Sequence, residues 1–166
     1  MISFESNYEI PLLTICGTLI SGYLSTFVSE NFKRRRDGNA LAAALVGELS
    51  AHAPHLNTLK DVLNQFMKCS DHKLLLLRPI PIPVDAVYDS SVSKLGLLGC
   101  ELAEDVVFVY QSIRGFRLSM DILSRNFKEM ERDEFLARCR SCIDSLDRAA
   151  TRGEPLIPKL KKFAHY

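Results

Sequence analysis

Apolar residues in this chain fall into two patterns, one long uncharged run and a series of stripes with helical spacing. The run, Ile10 to Val28, reads IPLLTICGTLISGYLSTFV, nineteen residues without a charge, close to the roughly 20 that carry a helix across a bilayer. Thr14, Gly17, Thr18, Ser21, Gly22, Ser25 and Thr26 dilute its hydropathy. The pattern predicts a transmembrane helix over 10–32, with a soluble core helix as the alternative.

After Asp37-Gly38-Asn39, a turn-like break that one long helix could also absorb, Leu45, Leu49, Leu56, Leu59, Leu63 and Phe66 follow with gaps of four, three and seven. These gaps mark one helix face. His52 fills the seven-residue gap, and Pro54 is predicted to kink the helix or open a new segment. The helix should end near Cys69-Ser70-Asp71. Pro79, Pro81 and Pro83 make the next stretch extended, because each removes a backbone donor. Its four leucines, Leu74 to Leu77, suit core packing or, alternatively, a partner-binding or membrane-surface strip. A short helix is expected over 84–95, with Gly96 in the left-handed position that ends it. Leu102, Val106, Val109, Ile113, Phe116, Met120 and Leu123 then alternate gaps of four and three, as do Phe135, Cys139, Cys142, Leu146 and Ala149. Gly115 sits within the first of these stripes as a possible close helix crossing. The last helix is expected to stop at Gly153, with Pro155 and Pro158 framing a short terminal segment. No segment alternates as a strand does. The predicted fold class is all-α: an N-terminal transmembrane helix, then an antiparallel bundle of three to four helices. The predicted parts are a short extracytoplasmic N-terminus (1–9), the span (10–32) and a cytoplasmic bundle (33–166).

Charge enters through its placement. The net charge is only +1, which gives no overall basic field and argues against a nucleic-acid partner. Locally, Glu5 and Glu9 precede the apolar run and Lys33, Arg34, Arg35 and Arg36 follow it. By the positive-inside rule this predicts a single-pass protein of the inner membrane, N-terminus outside and C-terminus cytoplasmic, with the bilayer as one partner. Small residues every fourth position, Gly17/Ser21/Ser25 and Thr18/Gly22/Thr26, offer a face for helix association and hence for a homo-oligomer or a protein partner. The five cysteines are odd in number and irregularly spaced, which fits a reducing compartment better than a disulfide framework.

Residues with chemical potential are few. His52-x-x-His55 and Cys69-x-x-His72 are ligand types that suit zinc, yet they lie along one helix and just past its end, so ordinary histidines are the preferred reading. Cys139 and Cys142 have the spacing of a redox half-site, but both lie on an apolar stripe, where cysteine serves as a small hydrophobe. Glu101, Glu104 and Asp105 suit a helix start. The sequences of a nucleophile elbow, a phosphate loop and a dinucleotide loop are absent. No catalytic residue, cofactor or metal is therefore predicted, and the chain is not expected to be an enzyme.

The stretch VYDSSVSKLGLLGCELAEDVVFVYQSIRGF, Val87 to Phe116, together with RRRDGNALAAALVGEL, resembles a pattern in small uncharacterised bacterial membrane proteins that begin with one transmembrane helix. The likeness rests on a Tyr, Leu-Gly-Leu-Leu and Val-Val-x-x-Tyr series. It implies a cytoplasmic helical domain and brings no catalytic residues. Tyr88 and Tyr110 read as packing anchors. The function these observations favour is a membrane-anchored, self-associating interaction or regulatory module. The alternatives are a membrane-active effector of host defence or phage origin, and a metal-binding or enzymatic protein using His52, His55, Cys69 and His72.

Overall fold

The computed structural model describes residues 9–79 and 84–165, with side chains from residue 22 onward. All regular structure among them is helical: α1 (Glu9–Lys68), α2 (Ala86–Ser91), α3 (Cys100–Asn126) and α4 (Arg132–Ala164), with 3-10 turns at His72–Leu74 and Val92–Leu98. The chain divides into two compact units, Met1–Asp37 and Gly38–Tyr166.

The expected transmembrane helix is corrected. Among the described residues, no helix is long and apolar enough to cross a membrane. Where side chains are described in the first unit, α1 carries Gly22, Ser25, Thr26, Ser29, Glu30 and Asn31 between its apolar residues, and polar groups this frequent offset the gain from burying the apolar ones in hydrocarbon. The earlier part of the expected span, 10–21, lies outside the described side chains.

α1 is one helix of 60 residues, so neither Asp37-Gly38-Asn39 nor Pro54 breaks it. Gly38 is buried, and a Cβ there would come within 3.1 Å of the Leu97 carbonyl oxygen. It is a point of close approach rather than a turn. Pro54 and Ser50, whose carbonyl would have received the missing bond, both sit on the exposed side, where water can take that carbonyl.

In the second unit α3 and α4 form an antiparallel hairpin, shown by Lys159 near the end of α4 pairing with Glu101 at the start of α3 at 2.9 Å. The stripes read from the sequence meet here. Leu41, Leu45 and Leu49 of α1 pack with Tyr88, Val106, Val109, Leu156 and Leu160 in one cluster. Leu63 joins Phe116, Leu123, Phe135, Cys139, Cys142 and Leu146 in a second. Thus α1 from residue 38 onward runs alongside α3 and opposite to α4.

α4 continues through Ala164 instead of stopping at Gly153. Leu156 and Leu160 are completely buried, and burial of two leucines at about 1.5–3 kcal/mol each holds the helix across Pro155 and Pro158. Both prolines are exposed, as are Thr151 and Glu154, whose carbonyls lose their partners. The helix-ending glycine is Gly99, at φ +81° and ψ 164°, and Gly96 does not have positive φ. The stretch after Ser91 tightens into a 3-10 turn, so the reversal comes three residues later than expected. Gly115 makes no close crossing: a Cβ there would meet nothing within 4 Å, whereas Gly153 lies against Val109.

The leucine run after the 3-10 turn at His72 alternates. Leu74 and Leu76 are 81% and 82% exposed, while Leu75 and Leu77 pack on the second cluster.

Candidate functional site

The densest polar constellation in the second unit lies where α1, α2 and α3 meet. Asp85 begins α2 at its N-cap, yet its carboxylate makes no cap bond. It turns instead to Arg117, whose Nη1 donates to both carboxylate oxygens at 2.8 Å, with Arg114 Nε at 3.5 Å and His52 Nε2 at 3.3 Å. Only 1% of the Asp85 side chain is exposed. A carboxylate this buried demands compensating charge, and two arginines of α3 supply it.

The amide donors left open at the start of α2 are satisfied from another helix. Glu48 of α1 accepts from Val87 N at 3.0 Å and Tyr88 N at 3.1 Å, acting as an N-cap in trans. The same carboxylate accepts the Tyr110 hydroxyl at 2.7 Å. Tyr88 and Tyr110 stack with centroids 4.1 Å apart, and Arg114 lies over the Tyr88 ring while pairing with Asp89. Burial, then the hydrogen bond to Glu48, pushes the Tyr110 hydroxyl far above the usual phenol range, so it remains a donor. These groups answer one another, and the arrangement joins three helices.

A cavity of about 50 Å³ lies beside this junction between α1, α3 and α4, lined by Leu49, Val109, Ile113 and Ala149 with His52, Asn57 and Glu154. It is well below the roughly 300 Å³ at which ligand pockets begin. Its size suits a few waters.

The four ligand types proposed for zinc are not brought together, and among the described residues no group of three or more potential ligands gathers. His52 faces Asp85, His55 is exposed, and the Cys69 thiol donates to Asp71 O at 3.3 Å. His72 is buried, with Nε2 3.1 Å from Met130 O and its ring stacked on Phe135. Because α1 stays helical past Pro54, His52 is about 24 Å along the axis from the helix end at Lys68.

Cys139 and Cys142 are fully buried. Burial pushes their thiols up to about 11 and about 12, which suppresses the thiolate that redox or metal chemistry requires. Glu101 and Asp105 hold Lys159, and Glu104 and Asp105 face Arg152, so the acids at the start of α3 serve the helix hairpin.

The basic run Lys33, Arg34, Arg35 and Arg36 is exposed, and Arg36 approaches Asp37 at 3.6 Å. Of the expected association face, Gly22 and Ser25 are exposed, while the side chains of Gly17, Thr18 and Ser21 lie outside those described. Thr26 bonds back to Gly22 O at 3.0 Å. Every residue from 22 to 37 is exposed, including Tyr23 at 74%, Phe27 at 56%, Val28 at 64% and Phe32 at 71%.

Reading the sequence alone missed Glu48, Asp85, Arg114 and Arg117. The available signal was Asp85, an N-cap residue type just after a proline-rich stretch, but its partners His52, Arg114 and Arg117 lie 29 to 33 positions away in sequence. Compared with known proteins, the chain matches no family model, no curated protein and no solved structure.

Proposed function

We propose that this chain is a helical interaction module that acts by binding rather than by catalysis, with the Tyr23–Arg36 stretch of α1 as its docking element. The observation that carries the reading is the exposure of five large apolar side chains, Tyr23, Leu24, Phe27, Val28 and Phe32, within ten residues. A contiguous apolar surface of this kind marks an interaction site. The bundle supports the same reading, because the polar groups of its main constellation are spent on structure: Glu48, Asp85, Arg114 and Arg117 join helices.

The test is a photoreactive residue in place of Phe27 in the full chain, irradiated in the expressing cell. Cross-linked products should form at position 27 and not with the same probe at the exposed bundle residue Lys128. If position 27 yields none, the stretch is not a docking element.

A further inference from the structure

We infer that the Tyr23–Arg36 stretch of α1 docks in the plane of an anionic lipid surface, an inference that rests on its being the docking element. At about 100° per residue, Tyr23, Phe27, Leu24, Val28 and Phe32 occupy one half of the helix circumference. Asn31 is the one polar residue among them. Gly22, Ser25, Thr26, Ser29 and Glu30 occupy the other half. One turn further on, Arg34 and Arg35 fall on the apolar half, while Lys33 and Arg36 fall on the polar half. All of these side chains are exposed. An apolar half-cylinder continued by the cations Arg34 and Arg35 lays its rings and aliphatic chains about 5–10 Å into the headgroup boundary, with these guanidinium groups at the phosphates.

Charge selects the lipid surface over a second copy. Within 22–37 two carboxylates, Glu30 and Asp37, stand against four consecutive cations, so a second copy of this stretch meets a surface of net positive charge, whereas anionic headgroups bring complementary charge at high density. The polar half explains how such a helix binds without crossing: its serines, threonine and glutamate stay in water while the other half is buried.

The experiment is co-sedimentation of the full chain with vesicles of phosphatidylcholine plus phosphatidylserine, and with vesicles of phosphatidylcholine alone. The chain should pellet with the first, pellet far less with the second, and leave the lipid in 1 M salt, where screening shrinks to about 3 Å. Each basic residue near an anionic surface strengthens partition about fivefold, so Arg34→Glu with Arg35→Glu should weaken it at least about 25-fold. Leu24→Ser with Phe27→Ser should abolish binding even in low salt. Both pairs are exposed, and unchanged far-ultraviolet circular dichroism shows that each variant is folded. Absence of vesicle binding, equal binding to both vesicle types, or displacement by duplex DNA as readily as by salt would overturn the inference. If vesicles fail while the Phe27 probe links two copies, the docking element survives with a protein occupant. If both fail, the underlying reading falls as well.

Discussion

Glu48 accepts the Tyr110 hydroxyl at 2.7 Å while accepting two backbone amides at the start of α2. One carboxylate of α1 thereby determines where α2 begins and how α3 lies beside it. Tyr110 is completely buried and stacked on Tyr88, so removing the acceptor strands a hydroxyl in the core. Glu48→Ala should cost about 2–4 kcal/mol, combining a lost cap with an unsatisfied buried donor. Tyr110→Phe should cost about 1 kcal/mol. The two changes should be less than additive in denaturant titrations, because they remove one shared interaction.

Asp85 and Arg117 should behave as a buried ion pair. Asp85→Ala leaves Arg114 and Arg117 without their shared carboxylate and should destabilise the fold by about 3–5 kcal/mol. The double replacement Asp85→Leu with Arg117→Met should recover much of that loss, since it removes both desolvated charges together. Urea unfolding of the unchanged chain, Asp85→Leu, Arg117→Met and the double variant completes the cycle. A loss in the double variant equal to the sum of the two single losses would show that the pair contributes nothing through its charges.

The thiols divide by burial. Cys100 is exposed, while Cys139 and Cys142 are enclosed in the second cluster. Under native conditions near pH 8, an alkylating reagent should modify Cys100 rapidly and leave Cys139 and Cys142 untouched until the fold opens. Mass spectrometry of timed samples reads this directly.

Stability should fall on the alkaline side. A thiol whose folded value lies above its unfolded value of about 8.5 contributes stability that is complete below the unfolded value and is lost as pH rises through the folded one. For Cys139 and Cys142 the loss therefore begins above about pH 8.5 and runs on toward about 11 and about 12. Tyr110 shifts in the same direction and adds to the loss above its ordinary value of about 10. Cys139→Ala with Cys142→Ala should flatten the lower part of the decline, read as urea midpoints across pH.

Gly99 should resist replacement and Gly96 should not. Gly99 holds φ +81° and ψ 164°, a region open essentially only to glycine, so Gly99→Ala should cost about 1–3 kcal/mol although no atom crowds it. Gly96→Ala meets open space without positive φ and should be neutral or slightly stabilising. Thermal unfolding distinguishes the two.

The sequence alone determined the helical class and most of the bundle core. Val106, Val109, Ile113, Phe116 and Leu123, and the whole stripe from Phe135 to Ala149, are buried where their spacing placed them, because 3.6-residue periodicity is written into adjacent residues. It also located the exposed basic run, which is contiguous. Tertiary structure decided what depends on distant partners. Pro54, Pro155 and Pro158 are strong local stop signals, yet each lies on an exposed face while neighbouring leucines are buried, and packing overrode them. Gly38 looked like a turn and is a contact with Leu97, a residue 59 positions away. The apolar run near the start looked long enough to span a membrane, and where its side chains are described they divide into an apolar and a polar half instead. The junction of Glu48 and Asp85 was invisible for the same reason: a carboxylate's role is set by the donors that reach it, and only the folded chain brings residues 48, 85, 110 and 117 within hydrogen-bonding distance of their partners.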